Sequence, residues 1–420
     1  MSTTQERWSL RAERRVALAA GLVALAVFGA AWALLHHGFY RRGQIVDTPV
    51  YQRYGDAMAD GQVPYLDFGV EYPPAALPVF VVPAIGDRHD PAIYRRNFER
   101  LMVLCGLLAI AGVAIALTAL RAGPERMFAA LAFAALAPLA LGSVILTRFD
   151  LWPTALLVLG LAAVLAERKR TGLGVLGVAA AAKIFPIVVV PPALVYVWRR
   201  YGRREALVCA AIFAGVVALI FLPFVRLSPG GVWDSLHRQA DRPLQIESLG
   251  SSFLLVAHQF GFWTVHLNLS HGSQNQGGSL ADTLAAVQSA VQALVVIGLW
   301  LAFARGPATP ERLVRYSAAC VAAFIAFGKV LSPQFLIWLL PLVPLVRGRR
   351  GLTASAVLAL ALVLTQLWFP YRYWRLALQQ DAIASWLVFA RDLVLVALVF
   401  VLAMPSRRET LRADRLTARD

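Results

Sequence analysis

Charge, cysteine and histidine are all scarce in this chain of 420 residues, and each shortage closes off a class of function. Asp, Glu, Lys and Arg make up only 15% of the residues while 59% are hydrophobic, and the mean hydropathy is +0.63. That leaves too little polar surface to cover a soluble domain, so the composition is that of a polytopic membrane protein. The three cysteines, Cys105, Cys209 and Cys320, each lie inside an apolar run, which excludes a disulfide framework, a zinc site and a redox pair. The seven histidines show no metal-ligand spacing: His36 and His37 are adjacent, and His266 and His271 are five apart. No Walker loop, HExxH helix or serine nucleophile elbow is present. Gly172, Gly174 and Gly177 have the spacing of a dinucleotide loop, but they sit in an apolar run with no preceding strand, so close helix packing explains them. No repeat at a solenoid period occurs, and residues 1–420 read as a single domain.

Acidic residues are outnumbered 24 to 40 by Lys and Arg, for a net charge of +16. The arginines fall in short bursts between apolar runs and not on one continuous face. They therefore read as topology signals and lipid-headgroup contacts, with no nucleic-acid partner. Eleven apolar runs are long enough to cross, or nearly so: 16–35, 98–119, 127–146, 151–166, 172–198, 206–224, 284–303, 313–327, 334–346, 352–369 and 386–403. The first resembles a signal peptide with a weak Ala31-Trp32-Ala33 cleavage pattern, but its length suits an uncleaved anchor. Between the runs lie RAERR, RAGPER, ERKRTG, RRYGRRE, RGPATPER, RGRRG and the tail SRRETLRADR, all expected in the cytoplasm because Lys and Arg accumulate on that side.

Run 172–198 has a basic burst on both flanks, so it has to leave and return. The break is visible at Lys183, followed by Pro186, where a charge and a helix breaker interrupt the pattern. A hairpin there makes about 12 transmembrane helices (range 11–13), both termini cytoplasmic. The proline-rich run 72–86 is too short to span and reads as a re-entrant or interfacial element. Two long outer loops remain, about 36–97 and 225–283, and loops of that length are usually functional. The first carries Trp32, Tyr40, Tyr51, Tyr54, Tyr65 and Tyr72, rings suited to the membrane interface. The second ends in HGSQNQGGS (271–279), which reads as flexible connection. A tail of about 404–420 completes the chain.

The polar clusters with chemical potential all fall on the outer side. Asp47, with Tyr51 and Tyr54 following, is a carboxylate just outside the bilayer, suited to a general base; its alternative is an N-cap, since Pro49 follows. Asp67 and Glu71 combine carboxylates with tyrosine rings, as sugar recognition needs, or form a rigid turn. Arg148 is able to grip a phosphate bidentately, or to close its turn on Asp150. Lys183 has no structural reason to interrupt an apolar hairpin and suits a phosphate oxygen, with snorkelling to headgroups as the alternative. The same logic covers Lys329 and Gln334. Arg242, Gln245 and Glu247 form a dense polar run in the second loop, equally readable as a solvated amphipathic helix. Tyr371 to Arg375 reads as an interfacial girdle.

Asp47 with Tyr51 and GQVPYLDFGVEYPP, then TRFDLWP, AAAKIFP, RPLQIES and GKVLSPQFLIWLLP, resemble, in order, the C-type glycosyltransferase superfamily and within it glycosyltransferase family 87, the bacterial polyprenyl-phosphate-mannose-dependent mannosyltransferases. The resemblance implies an all-α membrane bundle with its active site in the outer loops and an acidic base in the first of them, a position Asp47 holds here. Many superfamily members have a carboxylate doublet there, whereas this chain has Asp47 alone, which leaves Asp67 or Glu71 as rival bases. The implied activity is transfer of a hexose, with mannose the expected sugar, from a polyprenyl-phosphate donor to a lipid-linked envelope glycan or glycolipid, by inversion. Tyr51, Asp67, Glu71, Arg148, Asp150, Lys183, Arg242, Gln245, Glu247, Lys329 and Gln334 are the expected substrate-binding residues. No cofactor or metal is implied, and the partners are the donor, the acceptor and membrane lipids. The implied location is a bacterial plasma membrane with an extracytoplasmic site. A secondary transporter or flippase for an envelope precursor, or a non-catalytic scaffold, is the competing class.

Overall fold

The computed structural model describes residues 3–86 and 89–404, with side chains from 15 onward. The tail expected in the cytoplasm, and the RAERR side chains before Arg15, lie outside the described residues. The chain is overwhelmingly helical. Its first half runs α1 (Thr3–Leu34), α2 (Thr48–Ala59), α3 (Leu77–Val81), α4 (Pro91–Ala119), α5 (Pro124–Leu141), α6 (Leu151–Leu165), α7 (Lys169–Ala182) and α8 (Val190–Tyr201). Its second half runs α9 (Arg203–Leu227), α10 (Pro229–Ala240), α11 (Leu249–Gln259), α12 (Ser279–Arg305), α13 (Pro310–Ala326), α14 (Gly348–Trp368), α15 (Tyr373–Gln379) and α16 (Ala382–Ala403). Among the described residues seven helices are long and apolar enough to cross a membrane: α4, α5, α9, α12, α14, α16 and α1 from Arg15. The other expected crossings are shorter or broken, among them α6 and the 3-10 pieces between Pro333 and Leu345. Cys209 is the only fully buried residue of α9, and α9 turns Leu207, Leu219 and Leu222 outward. An apolar helix left uncovered in this way faces lipid.

The out-and-back path of run 172–198 is present. α7 stops at Ala182, Lys183 is extended, and a 3-10 turn from Phe185 leads into α8. At the far ends of these two helices Lys169 lies over the Tyr201 ring at 4.0 Å, and Arg200 pairs with Glu167 at 3.6 Å. Arg170 also grips Glu205 with two 2.8 Å bonds. The basic bursts therefore gather at one end of the bundle, and α7 holds Lys183 about 20 Å away at the other. At the basic end arginines also close helix C-termini: Arg312 donates to the carbonyls of Ala302 and Phe303, and Arg315 to that of Met404.

Gly172 belongs to a close helix contact, as its setting predicts. A Cβ there would lie 2.7 Å from the Gly160 carbonyl of α6. Run 72–86 does not span: it forms a 3-10 turn, α3 and another 3-10 turn, packed on α2 and α4 and tied by Tyr94 to the Phe80 carbonyl and by Trp152 to that of Ala75.

Three expectations are corrected at the other end. HGSQNQGGS is not a flexible connection: it contains β2 (Ser273–Gln276), paired antiparallel with β1 (Leu267–Ser270). The Asn275 amide ties the hairpin to the Ser270 and Ser273 carbonyls, and Ile246 and Gln276 extend the ladder to the 244–248 segment. Polar side chains that hydrogen-bond one another can be buried as structure, which composition alone does not reveal. That pairing also makes Leu244 to Ser248 a buried segment, a bridge at Gln245 followed by a turn, and not a solvated helix. Not all of the first-loop rings lie at an interface: Tyr51 and Tyr65 are buried, and Tyr51 packs among Tyr72, Phe80, Phe98 and Phe149.

Candidate active site

At the end opposite the basic bursts lies a cavity of about 730 Å³, in the size range of ligand sites. Its walls are the helix breaks themselves. After Gly142, whose φ of +83° favours glycine, the chain turns through 147–150; the α7–α8 break supplies Lys183, and the end of α13 supplies Gly328 to Gln334. Non-helical backbone at such depth is tolerated where it lines an aqueous cavity or its groups find partners. Here Gln288 donates to the Gly328 carbonyl at 2.7 Å and Gln292 to that of Phe324 at 2.6 Å.

Asp47 stands at the N-cap position of α2 but does not cap it: no backbone N–H bonds to its side chain. Its carboxylate turns instead to the Arg148 guanidinium, and Tyr51 donates to its other oxygen at 3.4 Å. Asp47, Val50 and Tyr54 share one helical face and line the cavity with Arg53. Nor does Arg148 close its own turn on Asp150. Asp150 is buried and accepts from Lys183 Nζ at 2.7 Å and Trp338 Nε1 at 2.6 Å.

Glu71, Arg148, Lys183, Arg242, Gln245, Glu247, Lys329 and Gln334 also line the cavity. Three expected substrate contacts do not. Tyr51 lies behind Asp47 in the aromatic cluster, Asp150 lies behind Lys183, and exposed Asp67 accepts from the Val63 N–H at 2.7 Å in a turn away from the cavity. Their polar groups are taken up by neighbours. Residues that pattern reading passed over are Arg53, Gln239, Gln292 and Trp338, and Tyr373, read as part of an interfacial girdle, lines the cavity as well. Arg53 was legible from helical spacing after Asp47, and Gln292 as an amide inside an apolar run; Trp338 in an apolar run carries no such signal.

The site is electropositive. Asp47 balances Arg148 and Asp150 balances Lys183, but among the described residues Arg242 and Lys329 have no carboxylate within ion-pair distance. Arg242 donates to Ser273 Oγ and Lys329 to the Ala240 carbonyl. Burial pulls both cations below their ordinary pKa, the expected response of a charge short of solvent.

Of the three carboxylates that line the cavity, Asp47, Glu71 and Glu247, only Glu247 is buried. Burial pushes it up to about 8, although Arg391 and Arg148 pull the other way. Arg391 and Asp392 form a fully buried pair inside α16, and Arg391 donates to the Glu247 carbonyl at 2.8 Å. Two adjacent charges in an apolar run are a functional signal in themselves. A carboxyl whose folded pKa is raised binds a proton the unfolded chain has released, so its contribution to stability falls as pH rises from about 4.5 to about 8. Glu247→Gln is therefore expected to raise the thermal unfolding temperature relative to wild type at pH 8.5, with the difference vanishing by pH 5. A difference independent of pH would mean that Glu247 stays ionised throughout.

The sequence profile of glycosyltransferase family 87 matches residues 71–333, well over half of the chain. Among solved structures the chain is similar to ArnT from Cupriavidus metallidurans in the apo state, at 14% identity and a TM-score of 0.45, over 96% of this chain and 77% of that one. It is also similar to the oligosaccharyltransferase of Archaeoglobus fulgidus in the apo form, at 14% identity and a TM-score of 0.40, over 94% of this chain and 57% of that one. No curated protein matches the chain.

Proposed function

Because the chain belongs to glycosyltransferase family 87, we propose that this membrane glycosyltransferase moves a hexose, mannose in the first instance, from a polyprenyl-phosphate donor to a lipid-linked glycan or glycolipid at the outer face of a bacterial plasma membrane. One observation carries the reading: a carboxylate, Asp47, and cations without carboxylate partners, Arg242 and Lys329, line one cavity among helix breaks. The reaction needs that combination. The bond from the anomeric carbon to the phosphate oxygen breaks, the bond to the acceptor oxygen forms, and the acceptor proton passes to Asp47. The leaving group is a phosphate monoester, which needs no general acid but gains one negative charge as it departs. Arg242 and Lys329 face that growing charge, so they hold the leaving group more strongly than the intact donor. A single displacement, in which the acceptor oxygen attacks from the face opposite the leaving group while one base takes its proton, gives inversion without a glycosidase's paired carboxylates.

Family membership sets the transporter and scaffold readings aside. Glu71 keeps a place at the cavity as a ligand for sugar hydroxyls, with Tyr54 and Gln239 beside it.

Labelled polyprenyl-phosphate-mannose supplied to the purified protein in lipid nanodiscs, with lipid-linked acceptors, is expected to yield a mannosylated lipid with inverted anomeric configuration and equimolar polyprenyl phosphate. Turnover with a nucleotide sugar and none with the lipid donor would overturn the proposal.

A further inference from the structure

Lysine is the rarest cation here: the chain has three lysines, Lys169, Lys183 and Lys329, and two of them line the cavity. Lys183 is the more tightly held. Its Nζ donates to Asp150 Oδ1 at 2.7 Å, and the same oxygen accepts from Trp338 Nε1 at 2.6 Å. Aromatic rings surround the ammonium, with the centroids of Phe149, Trp338 and Phe335 at 4.7, 5.2 and 5.4 Å. Trp338 is itself clamped, stacked on Phe185 at 3.8 Å and on Phe335 at 4.3 Å. The clamp thus joins the 147–150 turn, the α7–α8 break and the 3-10 helix Pro333–Leu339.

From this geometry we infer that Asp150 and Trp338 are positioning residues that hold the Lys183 ammonium charged and aimed at the phosphate of the donor. Asp150 does not touch substrate, because Lys183 stands between it and the cavity. A flexible ammonium has three donors on a four-carbon stem and points where its surroundings let it. One donor is spent on Asp150, the ring faces replace water on its flanks, and the remaining donors are left for an oxyanion. Trp338 prevents the carboxylate from turning, since its N–H holds the same oxygen. The other charges facing Lys183 are Arg148 and Arg242, both repulsive, so Asp150 is the group that offsets them.

The inference rests on the phosphate-donor reading, and two measurements separate their failures. The first is the rate at which Lys183 is acylated by an amine reagent, followed by peptide mass spectrometry with Lys169 at the opposite end as internal reference. Acylation requires the neutral amine, so Asp150→Asn is expected to accelerate it about tenfold relative to Lys169, one pKa unit's worth of neutral amine. The second is the affinity for polyprenyl phosphate, the leaving product. Asp150→Asn is expected to weaken it about tenfold and Trp338→Phe, which keeps a ring but loses the N–H, about threefold, one strong and one ordinary hydrogen bond respectively. In a Lys183→Met background both losses are expected to vanish, which a merely structural role would not produce. Trp338→Phe preserves most of the ring packing and serves if Asp150→Asn does not fold. Unchanged Lys183 acylation in Asp150→Asn, or affinity losses that persist in the Lys183→Met background, would overturn the clamp. If wild type does not bind polyprenyl phosphate, the donor reading falls while acylation still decides the clamp.

Discussion

Asp47→Ala is expected to lower sugar transfer by about 10²–10⁴-fold, the usual contribution of a positioned general base, with the protein still folded and inserted. The argument rests on what Asp47 does not do. At the N-cap of α2 an aspartate normally accepts backbone N–H groups, and losing such a cap destabilises the helix. Here the carboxylate makes no cap bond, so α2 loses little when it is removed; the stability cost is that of leaving the buried Arg148 guanidinium unpaired, about 1–3 kcal/mol as for the reverse deletion below, and the cavity loses its carboxylate. Asp67→Asn is the matched control. That carboxylate is exposed and outside the cavity, and its removal is expected to leave activity within about twofold, as for ordinary surface substitutions. Rates measured with the lipid donor, beside detergent melting curves for each variant, decide the matter. Full activity in Asp47→Ala would remove it from the mechanism and shift the base to Glu71.

Arg148→Met is expected to cost both activity and stability. The Arg148 side chain is 5% exposed and that of its partner Asp47 33%. Breaking a fully buried pair costs about 3–5 kcal/mol, but the water that reaches Asp47 reduces this to about 1–3 kcal/mol. Activity is expected to fall at least about 100-fold, because Asp47 loses the partner that fixes its direction and the site loses a cation near the leaving group. Arg148→Lys restores the charge but not the planar fork, which also donates to the Ile45 carbonyl at 3.3 Å. It is expected to recover stability more than rate. Recovery of both together would mean that Arg148 acts only as a charge.

Much of the architecture was legible in the sequence because a bilayer punishes exceptions. A lysine and a proline in an apolar run flanked by basic bursts had to be a turn, and α7 and α8 do meet at Lys183. The two long loops were less legible. HGSQNQGGS carries the composition of a linker, yet its amides and hydroxyls satisfy one another as β2, an outcome that depends on the neighbours supplied by β1 and the 244–248 segment. Arg391 and Asp392 interrupt an apolar run, a signal that pattern reading passed over, and their link to Glu247 spans 144 residues of chain.

By itself the sequence determined the membrane class, the helix breaks and which loops carry charge, because hydropathy and proline act locally and leave few ways to span lipid. Only the tertiary structure decided the partners. Asp47 meets Arg148 and not the N–H groups of α2, and Asp150 meets Lys183 and Trp338 and not Arg148. A carboxylate's partner depends on which helix breaks pack against it and on the direction its side chain leaves the backbone, and neither is carried by spacing along the chain.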